Sequence, residues 1–426
     1  MKNVLIVGMG KSGRSVYASC IKNGDLPFFY DDNLECYDLD NLNCKLDYAV
    51  VSPAVNPRSK IMGWLTSGNV PIIPEIEYAY NNIKNINEKV LIGITGTNGK
   101  TTVTTMLHQI LGDESCSLCG NVGIPLTDCA EDKKRYMAIE LSSFQLLPIK
   151  NFKVNIACIL NLMPDHLEYH RDIDEYYGAK LNITKNLTAD DYLVVYNNDK
   201  EIQNRIKNTK ANIFYFGKDI SGNGCYLEGA DIYFSNNGIK ERVLTINVNE
   251  VFEHNILNTL AVCTILKICG VDNSKIKEGF KTYKYAPFRL EYVKKINNTL
   301  VYNDSKSTNV ASLKSALSCF DGKVINLIIG GRYKNESFKD IFLNGNNINK
   351  VCIFGESKEK IKEYADAAGY RNYVICDNLT DAVNEAAKDL NGVDILLFSP
   401  ACASFDMYSG YEERGKHFNE ILNKIK

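Results

Sequence analysis

The chain has 426 residues, more than one hydrophobic core ordinarily supports, and at roughly 150 residues per domain it divides into about three. Its 49 Lys and Arg face 51 Asp and Glu, and a formal charge of -2 gives no bulk basic field for nucleic acid or anionic membranes. With 45% hydrophobic and 23% charged residues the composition is that of a globular protein, neither disordered nor fibrous.

Short apolar runs alternate with helical patterns almost throughout, which predicts parallel sheets covered by helices. The first run, KNVLIVG at 2–8, starts a strand at once, without the basic segment, long apolar region and cleavage site of a secretion signal. No apolar run approaches the roughly 18 to 20 residues that cross a bilayer, so a soluble, cytoplasmic protein without membrane insertion is expected. The 14 cysteines are expected as reduced, buried thiols. Cys116 and Cys119 form a CxxC, but no second pair stands at zinc-site spacing.

The first block has strand-like runs at 3–7, 27–31 and 47–52 and ends in the polar stretch NNIKNINEK, 81–89, read as a linker. GMGKSG, 8–13, matches GxGxxG after a strand, with Asp31 and Asp32 near the spacing of a ribose-binding carboxylate. Its glycines would let the backbone approach a pyrophosphate at the start of a helix. By itself the motif reads equally as a dinucleotide site or another nucleotide site, and a simple tight turn stays open.

The second block opens with VLIGIT, 90–95, and continues through strands at 136–143 and 154–162 to a helix over 254–269. GITGTNGKTT, 93–102, lies between the first of these strands and a helix. There Gly96 and Gly99 let backbone amides wrap an anion, Lys100 can reach the β- and γ-phosphates, and the Thr101 hydroxyl can complete a Mg²⁺ shell. Strict Walker spacing would need glycine at Ile94, but the strand-to-helix position marks an ATP-type signal. The final block starts near Ala286, with strands at 324–331, 351–356 and 394–400, each followed by a helical pattern. The expected fold is α/β in three domains. These are an N-terminal Rossmann-like domain over 1–86, a central P-loop ATPase-type parallel sheet over 87–285, and a C-terminal Rossmann-like domain over 286–426.

The loop GTNGKTT is followed by ELSSFQL (140–146), NLMPDHLEYH (161–170), YYGAKL (176–181), HNILN (254–258), NDSKSTN (303–309) and SPACASFD (399–406). Together these stretches, in order through all three blocks, resemble the Mur ligase superfamily of ATP-dependent amide ligases, and most of all its D-glutamate-adding branch. The resemblance implies that ATP phosphorylates the terminal carboxylate of UDP-N-acetylmuramoyl-L-alanine and that the amine of D-glutamate displaces phosphate. It further implies a monomer with ATP held by Gly96, Thr97, Asn98, Gly99, Lys100, Thr101 and Thr102. Asn255, Asn258, Arg289, Asp304 and Lys306 are implied around the nucleotide. Two Mg²⁺ would be held by Thr101, Glu140, His166 and a CO₂-carbamylated Lys180, with Asn121 lining the same region.

The catalytic set it implies is Lys100, Glu140, His166, Lys180 and Asn121. GMGKSG then becomes a uridine diphosphate cradle, with Lys11, Ser12, Gly13, Asp32 and Ser52 as contacts. Thr308, Lys334, Ser404 and Tyr411 fall on the D-glutamate positions. One departure is Phe288, which stands before Arg289 where the family commonly has His. The alternatives are another Mur-type or folylpolyglutamate-type ligase and, in a different class, an NAD-dependent oxidoreductase carrying a P-loop domain.

Overall fold

A computed structural model describes the chain except residues 33, 35–43, 167, 168, 247–252, 284–286, 335, 344–346 and 426, and the side chains of 253 and 254. The expected domain boundary at 285/286 and the side chain of His254 lie outside the described residues.

The apolar run that opens the chain is buried from Val4 to Val7, as a parallel strand covered on both faces requires. It forms β1 (Asn3–Val7), which pairs in parallel with β2 (Leu26–Tyr30) and β3 (Tyr48–Val51); β4 (Ile72–Pro74) completes the order β2-β1-β3-β4. GMGKSG thus leaves β1 where the strand order reverses, the crevice in which open α/β sheets bind ligands.

A second sheet follows the same logic on a larger scale. Its parallel strands are β5 (Val90–Thr95), β6 (Cys116–Gly120), β7 (Tyr136–Glu140), β8 (Ile156–Ile159), β9 (Tyr192–Tyr196), β10 (Asn212–Gly217) and β11 (Gly224–Glu228). The antiparallel strands β12 (Asp231–Asn236) and β13 (Ile239–Thr245) extend one edge, giving the order β13-β12-β11-β10-β9-β8-β5-β7-β6. β5 lies between β7 and β8, so the loop GTNGKTT also opens at a reversal of strand order.

The third sheet has the order β14-β15-β19-β16-β17-β18. Its strands are β14 (Glu291–Ile296), β15 (Thr299–Asn303), β16 (Ile325–Gly330), β17 (Ile348–Phe354), β18 (Tyr373–Ile375) and β19 (Ile395–Phe398), parallel except for β14. By its contacts the chain forms two compact units, Met1–Tyr283 and Lys284–Lys426, so the first two sheets share one unit.

What joins those two sheets is the helix Glu75–Asn82. Ile76 and Ala79 of this helix, with Ile83 after it, share a hydrophobic core with Leu91, Met137 and Ile139 of the larger sheet. Buried Glu77 accepts hydrogen bonds from three successive amides, Lys150 N at 3.0 Å, Asn151 N at 2.6 Å and Phe152 N at 3.0 Å. Glu75 accepts from Thr127 N at 2.8 Å and Thr127 Oγ1 at 2.6 Å, and burial pushes its carboxyl above the usual range.

The stretch 81–89, expected as a linker, is therefore packed: Ile83 is buried, and buried Lys89 donates to the carbonyls of Asp132 and Lys134. Its polar composition hid this: Asn81, Lys84, Asn85, Asn87 and Glu88 are exposed, while Lys89 turns its polar group inward. Glu77→Ala is expected to lower unfolding stability by about 3 kcal/mol, since three amides lose one buried acceptor at once. Urea denaturation checks this, with Glu77→Gln, which keeps an acceptor oxygen, losing less.

Candidate active site

The phosphate loop depends on two glycines. Gly99 has φ +86, and a Cβ there would lie 2.6 Å from Asn258 Oδ1; at Gly96 (φ +148) it would lie 3.0 Å from Leu160 Cβ. The helix Lys100–Leu111 then begins with no side chain among the described residues capping its first amides, which leaves its positive end facing the loop. Asn161 braces the loop by accepting from Asn98 N at 2.9 Å, donating to Asn98 O at 3.1 Å and offering its own carbonyl to Thr97 N at 3.0 Å. Thr97 Oγ1 donates to Met163 O at 3.0 Å and lies 3.2 Å from Tyr176 OH.

Two lysines converge on one carbonyl of this loop. Lys100 Nζ donates to Gly96 O and Thr97 O, both at 2.8 Å, and Lys180 Nζ donates to the same Gly96 O at 2.8 Å. Lys180 comes from the helix Ile173–Leu181, is 2% exposed, and stands 4.7 Å from the centre of the Tyr176 ring. Burial first, then the nearby charge of Lys100, pull its amine down to about 6 against the attraction of Asp165 and Glu140. At neutral pH this amine is largely uncharged.

Glu140 ends β7 and is 2% exposed. Its Oε1 accepts from Asn121 Nδ2 at 2.7 Å, while its buried Oε2 has no hydrogen-bond partner among the described residues. Gly120 makes this pairing possible: it has φ +96, and a Cβ there would meet Glu140 O at 2.3 Å. A buried carboxylate oxygen left open is costly, and it fits a site that takes a cation. Among the described residues no three His, Cys, Asp or Glu converge.

His166 faces the same Tyr176 ring as Lys180, with centroids 6.1 Å apart. It adopts φ +53, its amide donates to Asp165 Oδ1 at 2.9 Å, and its ring, 41% exposed, lies against Phe144 with centroids 5.0 Å apart. Thr101, Thr102 and Asn255 are half-buried, the last one turn before Asn258 on the helix Glu253–Ile268. The structure thus gathers Gly96, Thr97, Asn98, Gly99, Lys100, Asn121, Glu140, Lys180 and Asn258 around the loop.

At the first sheet, Gly13 permits the approach of the helix Lys11–Lys22, since a Cβ there would lie 2.0 Å from Gly8 O. Ser52 Oγ donates to Gly8 O at 2.8 Å. The loop amide of Met9 donates to Asp31 Oδ2 at 2.7 Å, whereas Asp32 accepts from Tyr30 OH at 2.9 Å. Of the adjacent aspartates it is Asp31 that braces the loop, leaving Asp32 exposed together with Lys11, beside half-buried Ser12.

In the second unit, three segments leave the C-terminal ends of β15, β16 and β19. Asp304 Oδ2 accepts from Ser399 Oγ at 2.8 Å and Oδ1 from Leu290 N at 3.2 Å, and burial pushes its carboxyl up to about 7. Arg414, absent from the sequence-predicted set, is fully buried and donates to Ser305 Oγ at 3.2 Å, Ser305 O at 2.8 Å and Cys402 O at 3.0 Å. Lys306 lies 5.4 Å from the centre of the Tyr411 ring, Ser404 is buried, Arg289 and Thr308 are half-buried, and Lys334 is exposed. Ser307 Oγ is buried without a partner among the described residues. Phe288, where the family commonly has His, packs against Gly415, where a Cβ would lie 2.4 Å from its ring, so that ring is committed to packing.

Comparison with known proteins shows the family. Residues 94–266 match the Mur ligase middle domain, and residues 288–402 match the Mur ligase glutamate ligase domain. The chain is similar to the UDP-N-acetylmuramoylalanine--D-glutamate ligase of Streptococcus sanguinis, with 36% identity over 448 residues, 100% of this chain and 98% of the relative. It is similar also to the ligase of that name from Caldicellulosiruptor bescii, with 34% identity over 453 residues and the same coverage, 100% and 98%. Among solved structures, the fold resembles the UDP-N-acetylmuramate-alanine ligase of Thermotoga maritima (TM-score 0.57, 19% identity, 100% of both chains). It also resembles the Thermotoga maritima MurF ligase in complex with ADP (TM-score 0.59, 14% identity, 99% of this chain and 95% of that one). With relatives above 30% identity along its whole length, the chain belongs to the Mur ligases, a family of ATP-dependent amide-bond-forming enzymes.

Proposed function

We propose that the protein joins D-glutamate to the terminal carboxylate of UDP-N-acetylmuramoyl-L-alanine, converting ATP to ADP and phosphate through an acyl phosphate, in cytoplasmic peptidoglycan precursor synthesis. The observation that carries the chemistry is the pair of lysines on Gly96 O beside the open oxygen of Glu140. The full-length relatives support the choice of substrates.

A free carboxylate is a poor electrophile, and activation converts its oxygen into part of a phosphate leaving group. Bringing it to a triphosphate opposes like charges, at roughly 4 kcal/mol per unit pair 4 Å apart with an effective dielectric near 20. Lys100 supplies a fixed cation at the phosphate loop and the Lys100–Leu111 helix supplies amides. Glu140 and Thr101 would hold one Mg²⁺, and His166 with a carbamylated Lys180 a second; when bound, these ions neutralise the triphosphate and the acceptor carboxylate.

Lys180 suits carbamylation because its amine is buried and largely neutral: the nitrogen lone pair adds to the carbon of CO₂, the nitrogen gives up a proton to water, and a carbamate anion replaces the neutral amine. Asn121 orients Glu140 through its 2.7 Å hydrogen bond.

The remaining assignments follow the same reading. Lys11, Ser12, Gly13, Asp32 and Ser52 meet the uridine diphosphate, and Asn255, Asn258, Arg289, Asp304 and Lys306 meet the nucleotide of ATP. Thr308, Lys334, Ser404 and Tyr411 meet D-glutamate. The three functional domains are 1–86, 87–285 and 286–426, the first two sharing a core. The test is phosphate release with ATP, Mg²⁺ and UDP-N-acetylmuramoyl-L-alanine while the amino acid is varied. D-glutamate is expected to drive release and L-glutamate to drive roughly tenfold less or lower still. Equal release with both enantiomers overturns the substrate assignment.

A further inference from the structure

Glu140, His166 and Lys180 sit on three separate segments, and all three segments meet at a side chain that the proposed chemistry does not use. His170 has a fully buried ring whose Nε2 lies 2.9 Å from Ser143 Oγ and whose Nδ1 lies 3.7 Å from Glu175 Oε2. Ser143 is three residues beyond Glu140, at the start of a short helix fixed by the Ser142–Gln145 capping box. The His170 amide donates to His166 O at 3.1 Å. Glu175 lies on the helix that carries Lys180, and its Oε2 also accepts from Arg171 N at 2.7 Å.

We propose, building on the reading above, that His170 is a positioning residue: it clasps the Ser143 and Glu175 segments so that Glu140, His166 and Lys180 keep a fixed mutual geometry. Packing alone does not explain an imidazole here. The ring stacks on Phe144 at 5.6 Å and 13° and meets Tyr176 at 5.3 Å, contacts that phenylalanine would make without desolvating two ring nitrogens. What the nitrogens add is direction: Nε2 lies within hydrogen-bond distance of Ser143 Oγ, and Nδ1 faces the Glu175 carboxylate at 3.7 Å. Metal-holding groups need such outer partners, because a first shell loosened by a fraction of an ångström loses affinity.

The design of variants separates packing from clasping. His170→Phe keeps the ring stack and removes both polar contacts, whereas His170→Gln gives up the stack and keeps a donor toward Ser143. Bound Mn²⁺ is counted by electron paramagnetic resonance in the presence of a non-hydrolysable ATP analogue, and the Mg²⁺ dependence and ATP KM of phosphate release are measured alongside.

His170→Phe is expected to weaken the second Mn²⁺ by about 10–100-fold and to raise half-saturating Mg²⁺ in parallel, while the ATP KM moves by no more than about twofold. His170→Gln recovers a large part of that loss, and Ser143→Ala reproduces it. The double variant Ser143→Ala/His170→Phe costs no more than His170→Phe alone. Wild-type Mn²⁺ affinity and Mg²⁺ dependence in His170→Phe overturn the proposal. If His170→Phe does not fold, Ser143→Ala decides, and wild-type affinity there overturns it equally. Failure of the wild-type protein to release phosphate with D-glutamate sinks the functional reading instead, and the Mn²⁺ measurement still tests the clasp.

Discussion

Lys180→Ala is expected to lower D-glutamate-dependent phosphate release roughly a hundred- to a thousandfold while leaving the protein folded. The fold should tolerate it because Gly96 O, the acceptor that Lys180 serves, keeps its 2.8 Å hydrogen bond from Lys100. Activity should not, because the proposed carbamate is lost with the amine. Lys180→Arg is expected to be equally inactive, since a guanidinium stays protonated and cannot add CO₂.

The sign of the pH effect follows from the environment of Lys180. Burial and Lys100 hold its amine at about 6, so the neutral form that reacts with CO₂ dominates above that pH and disappears as pH falls through it. Stimulation of a CO₂-depleted enzyme by bicarbonate should therefore be full well above pH 6 and fade below it, and neither variant should respond. Near-wild-type turnover by Lys180→Ala, or bicarbonate stimulation of that variant, removes the carbamate from the mechanism.

The parts of this architecture that sequence discloses are those set by local rules. Strand β5 falls at Val90–Thr95, where the apolar run ends against a loop that glycine geometry dictates, and β16 at Ile325–Gly330 lies inside the run expected over 324–331. Long-range pairings are different in kind. Asp31 and Asp32 are indistinguishable by spacing, and only the pairing of β1 with β2, Val7 beside Tyr30, brings Asp31 to the Met9 amide. The stitching of the first two sheets by Glu77 depends on amides 73 to 75 positions away, so residues 81–89 look like a polar linker in isolation. Lys180 could be matched to a family position, yet its neutral amine arises from burial and from a second lysine on one carbonyl. His170 lies inside the stretch NLMPDHLEYH and Arg414 beside Gly415, but neither stands on a position to which the resemblance gives a role, and Ser143, Ser305 and Cys402 reach them only through the fold.

Arg414→Met is expected to destabilise the second unit by about 3–5 kcal/mol. The guanidinium is fully buried, and each bonded acceptor is neutral: Ser305 Oγ, Ser305 O and Cys402 O. Burial lowers its pKa to about 10, opposed by Cys402, Asp406, Tyr408 and Asp304, so it remains charged at neutral pH. A hydrophobic isostere fills the volume but leaves two backbone carbonyls without donors, at about 1–3 kcal/mol each.

Those carbonyls belong to the segments that carry Lys306 and Thr308 on one side and Ser404 on the other, so their loosening should also reach the positions proposed for D-glutamate. Arg414→Lys is the sharper probe. A single ammonium cannot span three acceptors that a planar fork reaches together, so the variant should keep the charge, lose more than about 1 kcal/mol in urea denaturation, and raise the D-glutamate KM about tenfold more than the ATP KM. A lysine variant that matches wild type in both measurements shows that charge alone suffices at this position. Loss of stability with an unchanged D-glutamate KM confines Arg414 to holding the fold.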